Sequence, residues 1–168
     1  MRFTRRYAAL LALLLVATAT AQDKGTENKL PDAVTKALEK ADAVELYALT
    51  GDRADKEKDQ DKNWRGWKSL GSTKLTKAAD KKALSGTVTK GVAEGDGGSR
   101  CFIPRHGISV THAGTTYELV ICFECSWVYL YTDKGDKPQV FMTTGVPQKA
   151  LDKFLTDAKV KLPKVEKK

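Results

Sequence analysis

The sequence predicts an α+β domain: a single antiparallel sheet of about five strands, helices packed on one face, in the order α-β-β-α-β-β-β-α. Three observations carry this. Apolar residues recur at helical spacing in three separate stretches, each opened or closed by Pro or Gly. Between them lie alternating runs rich in β-branched and aromatic residues, bounded by turn residues. The last strands follow one another through short connections, which makes a meander whose face helices can cover.

The chain has 168 residues, enough for one domain. Its N-terminus reads as a targeting segment. Arg2, Arg5 and Arg6 precede an apolar run over 7–16, too short to span a bilayer, and Ala19-Thr20-Ala21 fits an A-x-A cleavage site. Residues 1–21 are therefore expected to be a cleaved signal peptide and the destination secreted or periplasmic; an uncleaved anchor is the alternative. Arg5-Arg6 fits ordinary secretion at least as well as twin-arginine export. No transmembrane segment is expected after cleavage. Residues 1–21 hold three arginines and no acids, so their removal lowers the formal charge from +8 to +5. The remaining excess gathers in the tail at Lys159, Lys161, Lys164, Lys167 and Lys168. Such a balance favours solubility, and no nucleic-acid partner is expected.

In chain order, residues 22–28 are polar and read as flexible, and the domain is bounded at 29–162. Pro31 opens a helix on which Leu30, Val34, Leu38 and Ala41 share a face. Residues 43–50 read as a strand. Residues 51–63 carry Ala54 as their one apolar side chain and read as a mobile charged loop. Residues 64–75 form a second, irregular strand, with Gly66 and Gly71 marking a bulge or bend. Ala79, Ala83, Leu84, Val88 and Val92 stripe a helix over 78–94; Gly86 and Gly91 weaken it by about 1 kcal/mol each relative to Ala. The Gly-rich run 95–99 stops this helix and is not a phosphate loop, because it opens no helix and lacks a Gly-Lys-Ser/Thr element. Strands over 101–111, 117–131 and 139–144 follow, with a turn at 133–137. Pro147 opens the last helix, which presents Leu151, Phe154, Leu155 and Ala158; Pro163 ends ordered structure and 163–168 is a basic tail.

The stretch 101–131 holds all three cysteines and both histidines. Along a strand, side chains alternate between faces. Read as one strand, 117–131 sends Tyr117, Leu119, Ile121, Phe123, Cys125, Trp127, Tyr129 and Tyr131 to the core face, and Cys122 and Glu124 to the other. A loop centred on Ala113-Gly114 pairs Val110 with Tyr117 and Ile108 with Leu119. The apolar positions switch parity across Pro104-Arg105-His106-Gly107, which a β-bulge would explain. Beyond that bulge Ile103 faces Phe123 and Cys101 faces Cys125. Export implies a compartment where disulfides persist, and an odd cysteine count leaves one thiol over. The expected bridge is Cys101–Cys125, with Cys122 free.

Two chemistries follow from these residues. Cys122, with Arg105, His106 and Glu124 near it, is a candidate functional site: positive neighbours lower a thiol pKa and a His can act as base. Glu118 and Glu124 oppose thiolate formation, and free Cys is commonly an inert small hydrophobe. Cys101, His106, Cys122 and Cys125 also make a four-ligand set that Zn or Cu would accept. Strand alternation separates Cys122 from Cys125 unless a second bulge intervenes, and His112 sits at the hairpin tip. Trp64 and Trp67 read either as an aromatic platform or as core. No catalytic constellation is evident, and enzymatic activity is not expected.

The segments CFIPRHGI (101–108) and LVICFEC (119–125) together resemble a family of small secreted bacterial proteins of unknown function. In that family the two occur in this order and at similar spacing. The upstream WKSLG (67–71) and the closing helix belong to the same pattern, so the resemblance covers most of the mature chain. It implies one exported domain and brings no substrate, cofactor or catalytic residue. The sequence thus points to a non-enzymatic binding or structural module stapled by Cys101–Cys125. The alternative is a metal or reactive-thiol site built from His106, Cys122 and the other two cysteines.

Overall fold

A computed structural model describes residues 27–132, 135 and 137–164. The signal peptide expected over 1–21, most of the 22–28 stretch, most of the 133–137 turn and the end of the basic tail lie outside the described residues. Helix α1 (Asp32–Glu39) precedes strand β1 (Ala43–Arg53). A short 3-10 turn (Gln60–Lys62) leads into β2 (Asn63–Trp64) and β3 (Trp67–Lys74). Helix α2 (Ala78–Ala93), then β4 (His106–His112), β5 (Thr115–Cys122), β6 (Trp127–Thr132), β7 (Gln139–Met142) and α3 (Gln148–Asp157) complete the order.

The class is α+β with one antiparallel sheet, as expected, but the sheet has seven strands in the order β2-β3-β1-β4-β5-β6-β7. Two stretches read as single strands are hairpins. Residues 64–75 split at Arg65-Gly66, both at positive φ (51° and 77°), so β2 and β3 pair Asn63 with Lys68 and Trp64 with Trp67. Residues 117–131 split at 123–126, where Ser126 takes φ 58°. Both β3 and β4 run antiparallel to β1, which lies between them, so they are parallel to each other. Parallel strands need a long crossover, and α2 supplies it.

The helices cover one face. Val34, Ala37 and Leu38 of α1, Leu84, Val88 and Val92 of α2, and Leu151 and Leu155 of α3 pack with Leu46, Ile108, Val110, Leu119, Ile121, Val128 and Leu130 of the sheet. The expected helices stand where the apolar periodicity put them, with two differences: Ala158 lies past the end of α3 and is exposed, and the buried face of α2 is shifted. Ala79 and Ala83 of α2 are exposed, while Ser85 and Gly91 are buried. Gly91 is buried because a Cβ there would press on Pro147 and Thr143 ahead of α3. The polar residue Asn28 is tied down: its side chain donates to the carbonyls of Val92 (2.6 Å) and Gly95 (2.9 Å) and accepts from Met142 N (2.9 Å). The charged stretch 51–63 is partly structured: β1 extends through Arg53, whose guanidinium lies 3.8 Å over the Trp67 ring. Asp59 pairs with Lys68 at 3.0 Å.

Candidate functional site

The face without helices carries a second cluster, and its chemistry differs. Leu49, Trp64, Trp67 and Val120 are buried there, flanked by Tyr47, Phe102, Tyr129 and Tyr131. The β2–β3 hairpin builds it by folding back over the sheet. Trp64 lies on Gly107, where a Cβ would overlap its ring, and stacks on Tyr47 with centroids 4.5 Å apart. Phe102 stacks on Tyr129 at 3.8 Å and meets Trp67 edge-on at 5.7 Å. Arg65, at the hairpin turn, pairs with Glu118 and lies 4.9 Å over the Tyr131 ring. The two tryptophans are therefore buried, 9 % and 5 % exposed, and only their rims reach solvent.

Beside the Tyr47–Trp64 pair opens a cleft of about 370 Å³, lined by Tyr47, Asp61, Lys62, Asn63, Trp64, Ser69 and Ser72 among others. Its two charges, Asp61 and Lys62, are of opposite sign and the rest of this set is neutral. Burial pushes the Tyr47 phenol up to about 12, and hydrogen bonding to Glu45 with the charges of Glu45 and Glu118 adds to the shift. The Tyr47 O–H donates to Glu45 at the edge of the cleft. Tyr131 is also shifted upward, burial outweighing the opposing charges of Arg53 and Arg65.

At the end of the same face lie the sulfurs. The last pair of the β5–β6 ladder is Cys122 with Trp127, and the chain reverses over 123–126. A C-x-x-C that a single strand would split is closed by this turn. The bridge joins Cys122 to Cys125, with Cα atoms 5.2 Å apart, and not Cys101 to Cys125 as strand alternation suggested. Both bridged residues are fully buried. Cys101 is a free, exposed thiol whose Sγ lies 2.9 Å from Cys125 Sγ. It is held there because its segment runs along the turn: Ser99 N donates to Cys125 O (3.0 Å) and Trp127 Nε1 donates to Ser99 O (2.6 Å).

The register between β4 and β5 has the two expected pairs, Val110 with Tyr117 and Ile108 with Leu119. It continues without a bulge to His106 opposite Ile121. The parity change falls before β4, in an irregular segment, so Ile103 is 42 % exposed and does not enter the core. The turn at 123–126 also swaps the faces of β6. Val128 and Leu130 join the helix-side core, while Tyr129 and Tyr131 flank the open-face cluster.

His106 consequently shares a face with Ile108 and Val110, under the helices. It is 2 % exposed, its Nε2–H donates to Asp152 Oδ1 of α3 at 2.8 Å, and Phe123 meets its ring edge-on at 5.2 Å. Its Nδ1 is buried with no hydrogen-bond partner. Arg105 donates to Glu124 (3.0 Å) and to Thr50 O (3.2 Å). Of the expected grouping, Arg105, His106 and Glu124 come together, lining a small recess with Ile103, Phe123 and Gln148, while Cys122 lies on the face opposite His106. The four-ligand set of Cys101, His106, Cys122 and Cys125 divides in the same way. Among the described residues no group of three or more His, Cys, Asp or Glu is placed to hold a metal ion.

No family model, curated protein or solved structure matches this chain. Among the described residues no helix is long and apolar enough to cross a membrane. Sequence reasoning missed Tyr47, Phe102 and Gly107 as parts of the open-face cluster. The available signal was Gly107 itself, a glycine inside a strand, which often marks close approach of another group.

Proposed function

We propose that the chain is an exported, non-enzymatic binding module, stapled by a disulfide, that takes a small, neutral, hydroxyl-rich ligand in the open-face cleft. The observation that carries this reading is the lining of the cleft. Side-chain hydroxyls of Tyr47, Ser69 and Ser72 and the amide of Asn63 surround the rim of an aromatic pair, with opposite charges at Asp61 and Lys62. Ligand sites combine apolar surface with a few polar groups that fix orientation. Ser69 Oγ bonds the carbonyls of Ala48 (3.4 Å) and Gly71 (3.3 Å) and Ser72 Oγ donates to Glu45 Oε1 (2.6 Å), so a neutral polyol would extend or exchange with these bonds; the charges of the lining balance, which suits a sugar-like ring better than an anion or a lipid.

Export is supported by the basic, apolar and A-x-A pattern of residues 1–21 and by the resemblance to small secreted proteins. A buried disulfide fits an oxidising compartment. Isothermal titration of residues 22–168 with neutral mono- and oligosaccharides tests the reading. Saturable heat that is lost in Tyr47→Ala, with the fold kept, is the expected result. Absence of heat across the panel at millimolar ligand would end it.

A further inference from the structure

The three cysteine sulfurs are neighbours at one end of the open face, one exposed and two buried. Cys101 is exposed, Cys125 lies next to it at 2.9 Å, and Cys122 is bridged to Cys125. A disulfide with both residues fully buried is closed to thiols in solution, because exchange requires a thiolate to reach one of its sulfurs. Cys101 is the one thiol positioned to do so. The far sulfur is prepared as well: Cys125 N donates a hydrogen bond to Cys122 Sγ at 3.2 Å, in the interior. A donor aimed at a leaving sulfur stabilises the thiolate that departs there.

We propose that Cys101, Cys125 and Cys122 form a thiol–disulfide exchange site in which Cys101 relays the buried bridge to the surface, where it reacts with an external thiol. In the first step the Cys101 thiolate attacks Cys125 Sγ. The Cys101–Cys125 bond forms, the Cys122–Cys125 bond breaks, and the electron pair leaves on Cys122 Sγ. Cys122 takes up the proton that Cys101 released, so no oxidant or reductant is consumed. In the second step an external thiol attacks Cys101 Sγ of the migrated bridge, giving a mixed disulfide at Cys101 and a thiol at Cys125. A second equivalent of that thiol releases the product disulfide and leaves the chain fully reduced. The partner class is a thiol, either low-molecular-weight or on another protein. Ligand binding at the cleft is not required.

Reduction of residues 22–168 by glutathione, followed by acid quench, differential alkylation and peptide mapping, tests the relay. Wild type is expected to show both Cys122–Cys125 and Cys101–Cys125 linkages and to pass through a glutathione adduct at Cys101. Cys101→Ser is expected to keep only Cys122–Cys125 and to be reduced at least about tenfold more slowly, as access predicts. Cys122→Ser should form Cys101–Cys125 quantitatively, which keeps the test meaningful if Cys101→Ser folds poorly. A single linkage in wild type together with equal reduction rates in wild type and Cys101→Ser would overturn the proposal. So would a Cys122→Ser chain that folds but leaves Cys101 and Cys125 unbridged under air.

Discussion

The two faces of the sheet are built from the same strands by different means. Under the helices the contacts are aliphatic and periodic: Leu46, Ile108, Val110, Leu119 and Ile121 meet stripes from three helices. On the other face no helix lies among the described residues, and the cover is made by turns. One hairpin folds Trp64 onto Gly107 and Tyr47, and another closes Cys122 on Cys125 beside Cys101. The first face is a packing problem that many similar side chains can solve. The second depends on single residues at single places, a glycine under a ring or a non-glycine residue at positive φ in a turn. On this face the Cys101 thiol is exposed while the Cys122–Cys125 bridge is buried.

Substitutions on the two faces should separate these roles. The largest loss belongs to the helix side: Ile108→Ala is expected to cost about 2–5 kcal/mol, since the site is fully buried and closed on both sides. Denaturant midpoints measure this, and a loss below about 1 kcal/mol would mean that the aliphatic face does not hold the fold. On the open face Gly107→Ala forces the Trp64 ring off the sheet. Overpacking predicts about 1–3 kcal/mol and a change in tryptophan fluorescence. An unchanged spectrum would show that the hairpin does not lie on the sheet.

The smallest effect is a pH dependence. The folded chain holds the Tyr47 proton up to about 12, against an ordinary value of 10.0. Between those values the folded state binds more protons than the unfolded state. The contribution is therefore intact below pH 10 and is lost as pH rises toward 12. The difference in stability between wild type and Tyr47→Phe, followed by denaturation across that window, should shrink as pH rises. A difference independent of pH would show that Tyr47 does not sit in the environment described.

What was legible in the sequence follows the same division. The helices, the strands of the aliphatic face and the pairing of Val110 with Tyr117 could be read because periodicity and the Ala113-Gly114 turn announce them. The two hidden hairpins could not. Arg65-Gly66 puts an arginine at φ 51°, where Asn or Asp is the usual signal, and so it read as a bulge. The turn over 123–126 has no Gly, Pro, Asn or Asp; Ser126 takes the left-handed conformation and the Cys122–Cys125 bridge closes it. One clue was present: a single strand over 117–131 would be nearly three times the usual length of about 5–6 residues. Missing that turn assigned Tyr129, Tyr131 and Cys125 to the wrong surroundings, and the expected Cys101–Cys125 bridge came from that assignment. His106 was misplaced for a related reason, because the irregular segment ends just before it and the regular ladder begins with it.

The claim that the open face carries the ligand site is tested most directly by protein-observed NMR of folded residues 22–168 titrated with a neutral oligosaccharide. Saturable shifts confined to the amides of Tyr47, Asn63, Trp64, Ser69 and Ser72, with Ile108, Leu119 and Leu151 unmoved, are the predicted result. Shifts centred on the helix-covered face, or none at millimolar ligand, would contradict it.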